Sequence, residues 1–168
     1  MKTGFVLLVC VLSLHLGVAP GAADIITPES ARMAALDRLQ KTTNELKTRL
    51  EIIETVHVTL VAHNPLVMSV ETLAGRSGPF VMTIDEKFIR SLSDAELEAA
   101  IAHELGHVWI FTHAPYVQSE RLANDIAMRV TSRTILEPVY EKVWQRIGLR
   151  GKLSDVINTD GTNHHQQH

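Results

Sequence analysis

The stretch that decides the fold is Ser93–His107, which reads SDAELEAAIAHELGH. Ser93 with Glu96 three residues later forms a capping box, in which the two side chains accept hydrogen bonds from each other's backbone N–H groups at a helix start. Apolar side chains then recur at helical spacing, at Leu97, Ala100, Ile101, Leu105 and Val108. The stretch therefore predicts a well-anchored helix over about residues 94–112 that buries one face.

This helix carries His103 and His107, with Glu104 beside the first histidine. Residues four apart lie about 40° apart around a helix axis and about 6 Å apart along it. Both imidazoles can therefore reach one tetrahedral cation, and Glu104 can reach a water molecule held by it. A carboxylate in that place can accept a proton from the water and return it to a leaving amine. Gly106, inside the helix, predicts close approach of another element.

Two residues compete to be the third metal ligand. His113 has the spacing of the metzincin motif H-E-x-x-H-x-x-G-x-x-H, but Ile110 occupies the position of the motif's glycine. Glu120 follows a helix break at Ala114-Pro115 and shares a helix face with small residues, which would let its helix pack close to the first. We favour Glu120, which would complete a two-histidine, one-glutamate set, and keep His113 as the alternative metal ligand.

Upstream of these motifs the chain predicts a long helix followed by a small sheet. Apolar residues repeat at steps of three and four over about residues 28–53, and strand patterns occupy 56–62, 66–73 and 80–84. Short connections favour antiparallel pairing. The predicted fold is α+β, with a long N-terminal helix, a small three-stranded and mostly antiparallel sheet, the active-site helix, a glutamate helix at 116–135 and a C-terminal helix at 138–147.

Residues 1–23 have the pattern of a signal peptide. Lys2 precedes the apolar run Phe5–Val18, and small residues precede a plausible cleavage point before Asp24. The run of about 14 apolar residues is shorter than the roughly 20 that a membrane span needs. Cleavage would remove Cys10, the single cysteine, and so exclude disulfides and a cysteine nucleophile. We expect an exported protein, periplasmic or extracellular, with no membrane span after signal removal.

The remaining composition favours one folded domain that does not bind nucleic acid. The chain has 168 residues, of which 19 are acidic and 16 basic, and aromatic residues make up 5%. Neither a basic surface nor a set of aromatic stacking platforms is therefore expected. We predict a domain over residues 24–157 and a flexible polar tail at 158–168.

The stretch Leu92–His107 resembles the active-site region of gluzincin zinc metallopeptidases. The similarity is strongest to the heat-shock and CAAX-prenyl protease clan and to its small soluble relatives, the minigluzincins. It extends over about residues 55–135, with the strand Phe80–Ile84 and the Glu120 helix in the expected order. The resemblance implies that Phe80–Ile84 is the edge strand along which an extended peptide or protein substrate is added.

The resemblance also implies roles for individual residues. One Zn²⁺ ion would be held by His103, His107 and Glu120, and Glu104 would be the general base and acid. Family members often carry an aspartate four residues after the glutamate ligand, where it bonds to a metal histidine. This chain has Asn124 there, a neutral amide that can still accept a hydrogen bond from an imidazole. For stabilising the oxyanion we choose Tyr116, which is near the site in sequence.

The sequence thus predicts an exported zinc metallopeptidase, most simply an endopeptidase, that uses metal-activated water. Two alternatives stay open: a zinc-bound but catalytically idle binding or scaffold module, and a metzincin-type site that uses His113. A further hypothesis is that residues 24–53 cover the cleft as a pro-segment, because they precede the catalytic part.

Overall fold

The computed structural model describes residues 27–75, 78–148 and 151, and it confirms a mixed α+β fold. The predicted signal peptide and polar tail lie outside the described residues. Within the described part of the chain, no helix is both long enough and apolar enough to cross a membrane. The elements are α1 (Pro28–Arg49), β1 (Val56–Val61), β2 (Met68–Thr72), β3 (Phe80–Asp85), α2 (Glu86–Ile89), α3 (Asp94–Thr112), α4 (Glu120–Ala127) and α5 (Arg133–Ile147).

The three strands form a sheet in the order β1-β3-β2. The β2–β3 pair is antiparallel as predicted, but β3 runs parallel to β1, so the sheet is mixed. The strand Phe80–Ile84 is therefore central, and its predicted role as the edge strand is wrong. Burial explains the arrangement: Met82 and Ile84 are fully buried, whereas Glu71 of β2 is exposed. The more apolar strand occupies the position where both of its edges are paired.

Helix α1 covers the outer edge of β1. The side-chain amide of Gln40 donates to the carbonyl oxygen of Val56 (2.9 Å) and accepts from the N–H of Val58 (2.9 Å), as a neighbouring strand would. Arg32 donates to the carbonyl oxygen of Leu60 (2.8 Å). Because unpaired edge groups invite pairing with other chains, this cover leaves β2 as the sheet's open edge within the described part of the chain.

Helix α3 is the central element of the core and begins at the predicted capping box. Ser93 N–H donates to the carboxylate of Glu96 (2.6 Å), and Glu96 N–H donates to the Ser93 hydroxyl (3.3 Å). Lys142 of α5 forms an ion pair with the same carboxylate (2.7 Å), which ties the last helix to the start of α3. The pKa of Glu96 is lowered, chiefly by its hydrogen bond with Lys142.

The region predicted as one helix over residues 116–135 is shorter and starts later. Residues 114–119 form a connection, and Ser119 caps α4 by accepting a hydrogen bond from Leu122 N–H (3.2 Å). Glu120 is therefore the first residue of α4. The next helix, α5, starts at Arg133 and contains Pro138, which the sequence pattern had suggested as a helix start. Pro138 is the sixth residue of α5, beyond the first turn, and its nitrogen cannot donate the helical hydrogen bond to the carbonyl oxygen of Thr134.

Gly106 allows α4 to pack directly on α3. A Cβ atom added to Gly106 would lie 2.9 Å from Cα of Ala123 and would contact the carbonyl oxygen of Ala123. Both obstructing atoms belong to the backbone of α4, so a side-chain rotation could not relieve the clash. The missing side chain thus sets how near Glu120 comes to the histidines of α3.

Replacing Gly106 with alanine should destabilise the fold. In an unobstructed helix the change gains about 1 kcal/mol; here we expect a net loss of about 1–3 kcal/mol from overpacking. Denaturant unfolding of Gly106→Ala measures this, with the exposed Glu98→Ala of the same helix as a control that should stay within about 0.5 kcal/mol of the original chain. A stability gain in Gly106→Ala would contradict the close packing.

Candidate metal centre

The structure brings together His103, His107 and Glu120, whose ligand atoms all lie within 4.8 Å of one another. The Nε2 atoms of the two histidines are 3.2 Å apart. Glu120 places Oε2 3.2 Å from Nε2 of His103 and Oε1 3.5 Å from Nε2 of His107. Helix α3 supplies both imidazoles from adjacent turns, and the first turn of α4 supplies the carboxylate.

These separations match the edges of a tetrahedron around one cation. Ligands about 2.0–2.1 Å from a tetrahedrally coordinated ion lie about 3.3–3.4 Å from one another. The observed distances of 3.2, 3.2 and 3.5 Å are close to that value, with Oε2 of Glu120 measured to His103 and Oε1 measured to His107. Two imidazole nitrogens and one carboxylate are also a donor set typical of a catalytic zinc site. The side chains therefore fit a metal ion without rearrangement of the backbone.

A side-chain carboxamide contacts the outer nitrogen, Nδ1, of each histidine ring. The Asn124 Oδ1 atom lies 2.9 Å from Nδ1 of His103, and the Gln118 Oε1 atom lies 3.0 Å from Nδ1 of His107. An amide oxygen only accepts hydrogen bonds, so each Nδ1 carries a proton, and in the neutral ring this tautomer leaves Nε2 with a lone pair directed toward the centre. The amide nitrogen of Gln118 also donates to the carbonyl oxygen of His107 (2.8 Å).

Tyr140 of α5 completes the polar surroundings. Its hydroxyl accepts a hydrogen bond from Nδ2 of Asn124 (2.8 Å) and lies 3.4 Å from Oε2 of Glu120. Its ring meets the His103 ring edge-on, with centroids 5.7 Å apart. Burial raises the pKa of Tyr140 well above its usual range, so the hydroxyl stays protonated and can donate toward Glu120.

The contact between His103 and Glu120 shifts the pKa of each group toward its charged form. The hydrogen bond with His103 is the main cause of a lowered pKa at Glu120, although partial burial opposes it. Burial alone would lower the pKa of His103, but the hydrogen bond to Glu120 and the negative charges of Glu104 and Glu120 outweigh it and raise the pKa. The carboxylate is thus ionised, and the centre favours a positive charge between these groups.

Glu104 lies beside this centre and is 9% exposed. Burial raises the pKa of Glu104, while the two neighbouring histidines act in the opposite direction. Its carboxyl group lines the same cleft as His103 and His107. A partly desolvated carboxyl at this place suits proton transfer to and from a reacting group near neutral pH.

The structure keeps His113 and Tyr116 away from the centre. Because α3 runs on through Ile110 to Thr112, His113 lies about 240° around the axis from His107. Its ring stacks on Trp109 with centroids 4.0 Å apart, and its Nδ1 bonds to the Trp109 carbonyl oxygen (2.8 Å). Tyr116 is 54% exposed, and its ring centroid lies 5.2 Å from that of Trp109.

A cleft of about 820 Å³ opens next to the centre. Residues of α3, β2 and α5 line it, together with Gln118 and Glu120. No described residue of the 27–53 segment lines the cleft. Helix α1 instead packs against β1 and α3, so in this structure residues 28–49 are part of the scaffold rather than a cover over the site.

Sequence reasoning missed Gln118 and Tyr140. Gln118 lies only two residues before Glu120, and its position in the connection to the third ligand is a signal that could have indicated it. Tyr140 falls among apolar residues at helical spacing in the last helix, a pattern that gives no sign of a polar role for its hydroxyl. A tyrosine among buried apolar residues needs a hydrogen-bond partner, and that requirement points toward a polar centre.

The contact between Gln118 and His107 predicts that Gln118→Ala weakens metal binding. Loss of a hydrogen bond to the outer nitrogen of a metal-binding histidine typically costs about 10–100-fold in affinity. Gln118→Glu keeps an acceptor at that nitrogen and should bind at least as tightly as Gln118→Ala. Competition with a chromophoric chelator for Zn²⁺ measures the affinities.

The neighbouring Val117→Ala serves as control, because Val117 is 80% exposed. Equal Zn²⁺ affinity in Gln118→Ala and Val117→Ala would show that the Gln118 contact does not support the centre.

Comparisons with known proteins give one structural similarity and no sequence match. No protein-family model matches the chain, and no curated protein sequence matches it. Among solved structures, the chain is similar to the metallopeptidase zymogen of Pyrococcus abyssi abylysin, with a TM-score of 0.47 and 14% sequence identity. The match covers 68% of this chain and 99% of that one.

Proposed function

We propose that this protein is a zinc-dependent metallopeptidase that hydrolyses internal peptide bonds. The observation that carries the proposal is the convergence of two imidazole nitrogens and a carboxylate, with 3.2 Å between the nitrogens and 3.2–3.5 Å from each nitrogen to one of the carboxylate oxygens. The signal-like segment 1–23 supports export as part of the proposal, so that the reaction would take place in the periplasm or outside the cell.

His103, His107 and Glu120 would hold one Zn²⁺ ion, which is the metal best suited to this donor set. When bound in such a site, zinc lowers the pKa of water and polarises a substrate carbonyl. The carboxamides of Asn124 and Gln118 keep both rings in the tautomer that binding requires. Three protein ligands leave a coordination position open, as hydrolysis requires.

Glu104 would act as the general base and then as the general acid. Its raised pKa makes it a better proton acceptor than an exposed glutamate, because burial penalises its ionised form. It would take a proton from the attacking water and deliver that proton to the nitrogen of the leaving amine. Helix α3 keeps Glu104 in a constant position relative to His103, its neighbour in the sequence.

The substrate would lie along β2. Asp85 N–H donates to the carbonyl oxygen of Val67 (2.9 Å), and Leu73 N–H donates to that of Pro79 (2.9 Å), so odd-numbered residues of this segment bond to β3. In an antiparallel ladder the residues between them direct N–H and C=O the other way. Val70 therefore offers both groups at the open edge, beside the cleft. An extended peptide could pair with it by strand addition.

The charges around the cleft argue against a carboxypeptidase. Among the described residues that line it, none is lysine or arginine. A carboxypeptidase needs a cation to bind the terminal carboxylate of its substrate. An internal segment of an extended chain carries no terminal charge and needs no such partner.

Glu104→Gln should bind zinc and lose peptidase activity. The amide keeps the size of the side chain but cannot accept the proton, so we expect one zinc per chain and a fall in kcat of at least about 100-fold. Metal analysis and cleavage of a mixed peptide library measure the two properties. Glu98→Gln, at an exposed position of the same helix, should match the original chain.

Activity that survives in Glu104→Gln would refute the assigned role. A zinc-loaded original chain that cleaves no peptide would instead indicate the idle binding or scaffold module.

Val70→Pro should block substrate addition while the sheet remains intact. Proline removes an N–H that points away from β3, a position where edge strands tolerate it. Loss of pairing at the open edge should lower kcat/KM roughly 10-fold or more, with unchanged zinc affinity. Val70→Ala keeps the N–H and separates the backbone effect from the side-chain effect. Full activity in a folded Val70→Pro chain would rule out pairing along β2.

A further inference from the structure

The two carboxamides that contact the histidine rings are held by different kinds of partner. The amide nitrogen of Gln118 donates to the carbonyl oxygen of His107 (2.8 Å), a group that can only accept. The amide nitrogen of Asn124 lies 2.8 Å from the hydroxyl of Tyr140, a group that can accept or donate. The backbone therefore fixes the orientation of the Gln118 amide, whereas the orientation of the Asn124 amide depends on where the Tyr140 hydroxyl directs its proton.

The orientation of the Asn124 amide decides which nitrogen of His103 can bind a cation. In the observed orientation, Oδ1 of Asn124 lies 2.9 Å from Nδ1 of His103, so Nδ1 carries a proton and the neutral ring offers Nε2 to a cation. A half-turn of the amide would bring its nitrogen to the same place. That nitrogen only donates, so the neutral ring would carry its proton on Nε2 and could not bind a cation there. Asn124 thus supports the centre in one of its two orientations.

Glu120 increases the need for a fixed amide. Its Oε2 atom lies 3.2 Å from Nε2 of His103, so without a cation the carboxylate attracts a proton to that nitrogen. An acceptor at Nδ1 opposes this attraction, because it holds a proton on the other side of the ring. The oxygen of Asn124 must therefore stay turned toward His103 if Nε2 is to release its proton when a cation binds.

The contacts of the Tyr140 hydroxyl favour the observed orientation. Its proton can reach Oε2 of Glu120 (3.4 Å) or Oδ1 of Asn124 (3.1 Å). The hydroxyl oxygen also lies 3.4 Å from Nδ1 of His103, which is itself protonated. A hydrogen bond to a charged carboxylate is stronger than one to a neutral amide of the same geometry. With its proton directed at Glu120, the hydroxyl presents lone pairs to the nitrogen of Asn124, which can then donate.

These contacts form a closed circuit of groups that are largely shielded from water. Asn124 is fully buried, and Tyr140 is 9% exposed. The hydrogen bonds run from Asn124 to Tyr140 and from Tyr140 to Glu120. His103 closes the circuit, since it contacts Asn124 through Nδ1 and Glu120 through Nε2. Little solvent is available to replace a missing partner, so the orientation of each group depends on the next.

We propose that Tyr140 is a positioning residue that selects the metal-binding tautomer of His103 by fixing the orientation of the Asn124 amide. The inference rests on the proposed function, since it takes His103 and Glu120 to be ligands of a cation. Tyr140 acts through Asn124 rather than as a ligand. A carboxylate in place of the amide would accept hydrogen bonds in either orientation and would not need the hydroxyl.

Zinc affinity in single and double variants tests the pair. Tyr140→Phe keeps the ring and removes the hydroxyl, and we expect it to lower the affinity for Zn²⁺ about 10-fold, measured by chelator competition. In the Asn124→Asp background the same replacement should cost at most about 3-fold, because the carboxylate needs no orientation. Tyr116→Phe removes the hydroxyl of the chain's other tyrosine, which is 54% exposed, and should leave the affinity unchanged.

Nitrogen NMR of the histidine rings observes the tautomer itself. In zinc-free protein at alkaline pH, where the rings are neutral, Tyr140→Phe should raise the fraction of His103 that carries its proton on Nε2. His107 is an internal control whose tautomer should not change, because the backbone fixes the orientation of its partner Gln118. The unaltered chain gives a measurement that needs no variant. A neutral His103 protonated mainly on Nε2 in that chain would overturn the inference even if Tyr140→Phe did not fold.

The outcomes separate this inference from the proposed function. Equal losses of Zn²⁺ affinity in both backgrounds, or an unchanged His103 tautomer in a folded Tyr140→Phe chain, would overturn the role of Tyr140 and leave the metal centre standing. The expected affinities in a zinc-loaded chain that cleaves no peptide would support the inference and overturn the peptidase. A chain that binds no Zn²⁺ would overturn both.

Discussion

The convergence of two imidazole Nε2 atoms, 3.2 Å apart, is the constraint on which the rest of this structure depends. When both Nε2 atoms are unprotonated, their lone pairs repel at that distance unless a positive charge lies between them. The carboxylate of Glu120 adds negative charge to the same space. A group of this kind is costly for a fold to assemble, and it is consistent with a site built to hold a cation.

Assembling this centre requires two helices to come closer than ordinary side chains allow. Gly106 removes the obstacle on α3, and the fully buried Ala123 presents only a small side chain on α4. The first turn of α4 then lies within reach of His103 and His107. The packing of α3 on α4 therefore determines the ligand geometry, since a shift of the helix pair would move the carboxylate relative to both rings.

Helix α5 connects the centre with the cleft. Through Tyr140 it contacts Asn124 and Glu120, which are a positioning residue and a candidate ligand. Through Val143 and Trp144 it lines the apolar part of the cleft. The polar groups around the histidines are neutral amides and a phenol, so they orient the rings without adding charge, unlike the carboxylates that often bond to metal-binding histidines.

The sequence alone determined what local periodicity and short-range hydrogen bonds control. The capping box of Ser93 and Glu96 specified the start of α3, and the four-residue spacing of His103 and His107 placed both rings on one face. Glu120 was a reasonable choice of third ligand because the helix break before it returns the chain toward α3. These inferences needed only helix geometry.

Only the tertiary structure decided which distant groups meet. It placed Phe80–Asp85 between two strands, because lateral strand order depends on burial and on long-range pairing rather than on the pattern within a strand. It brought Tyr140 to the centre and turned Tyr116 away, although Tyr116 is much nearer to the histidines in sequence. Proximity along the chain does not determine proximity across a packed core, where helix contacts select the neighbours of each side chain.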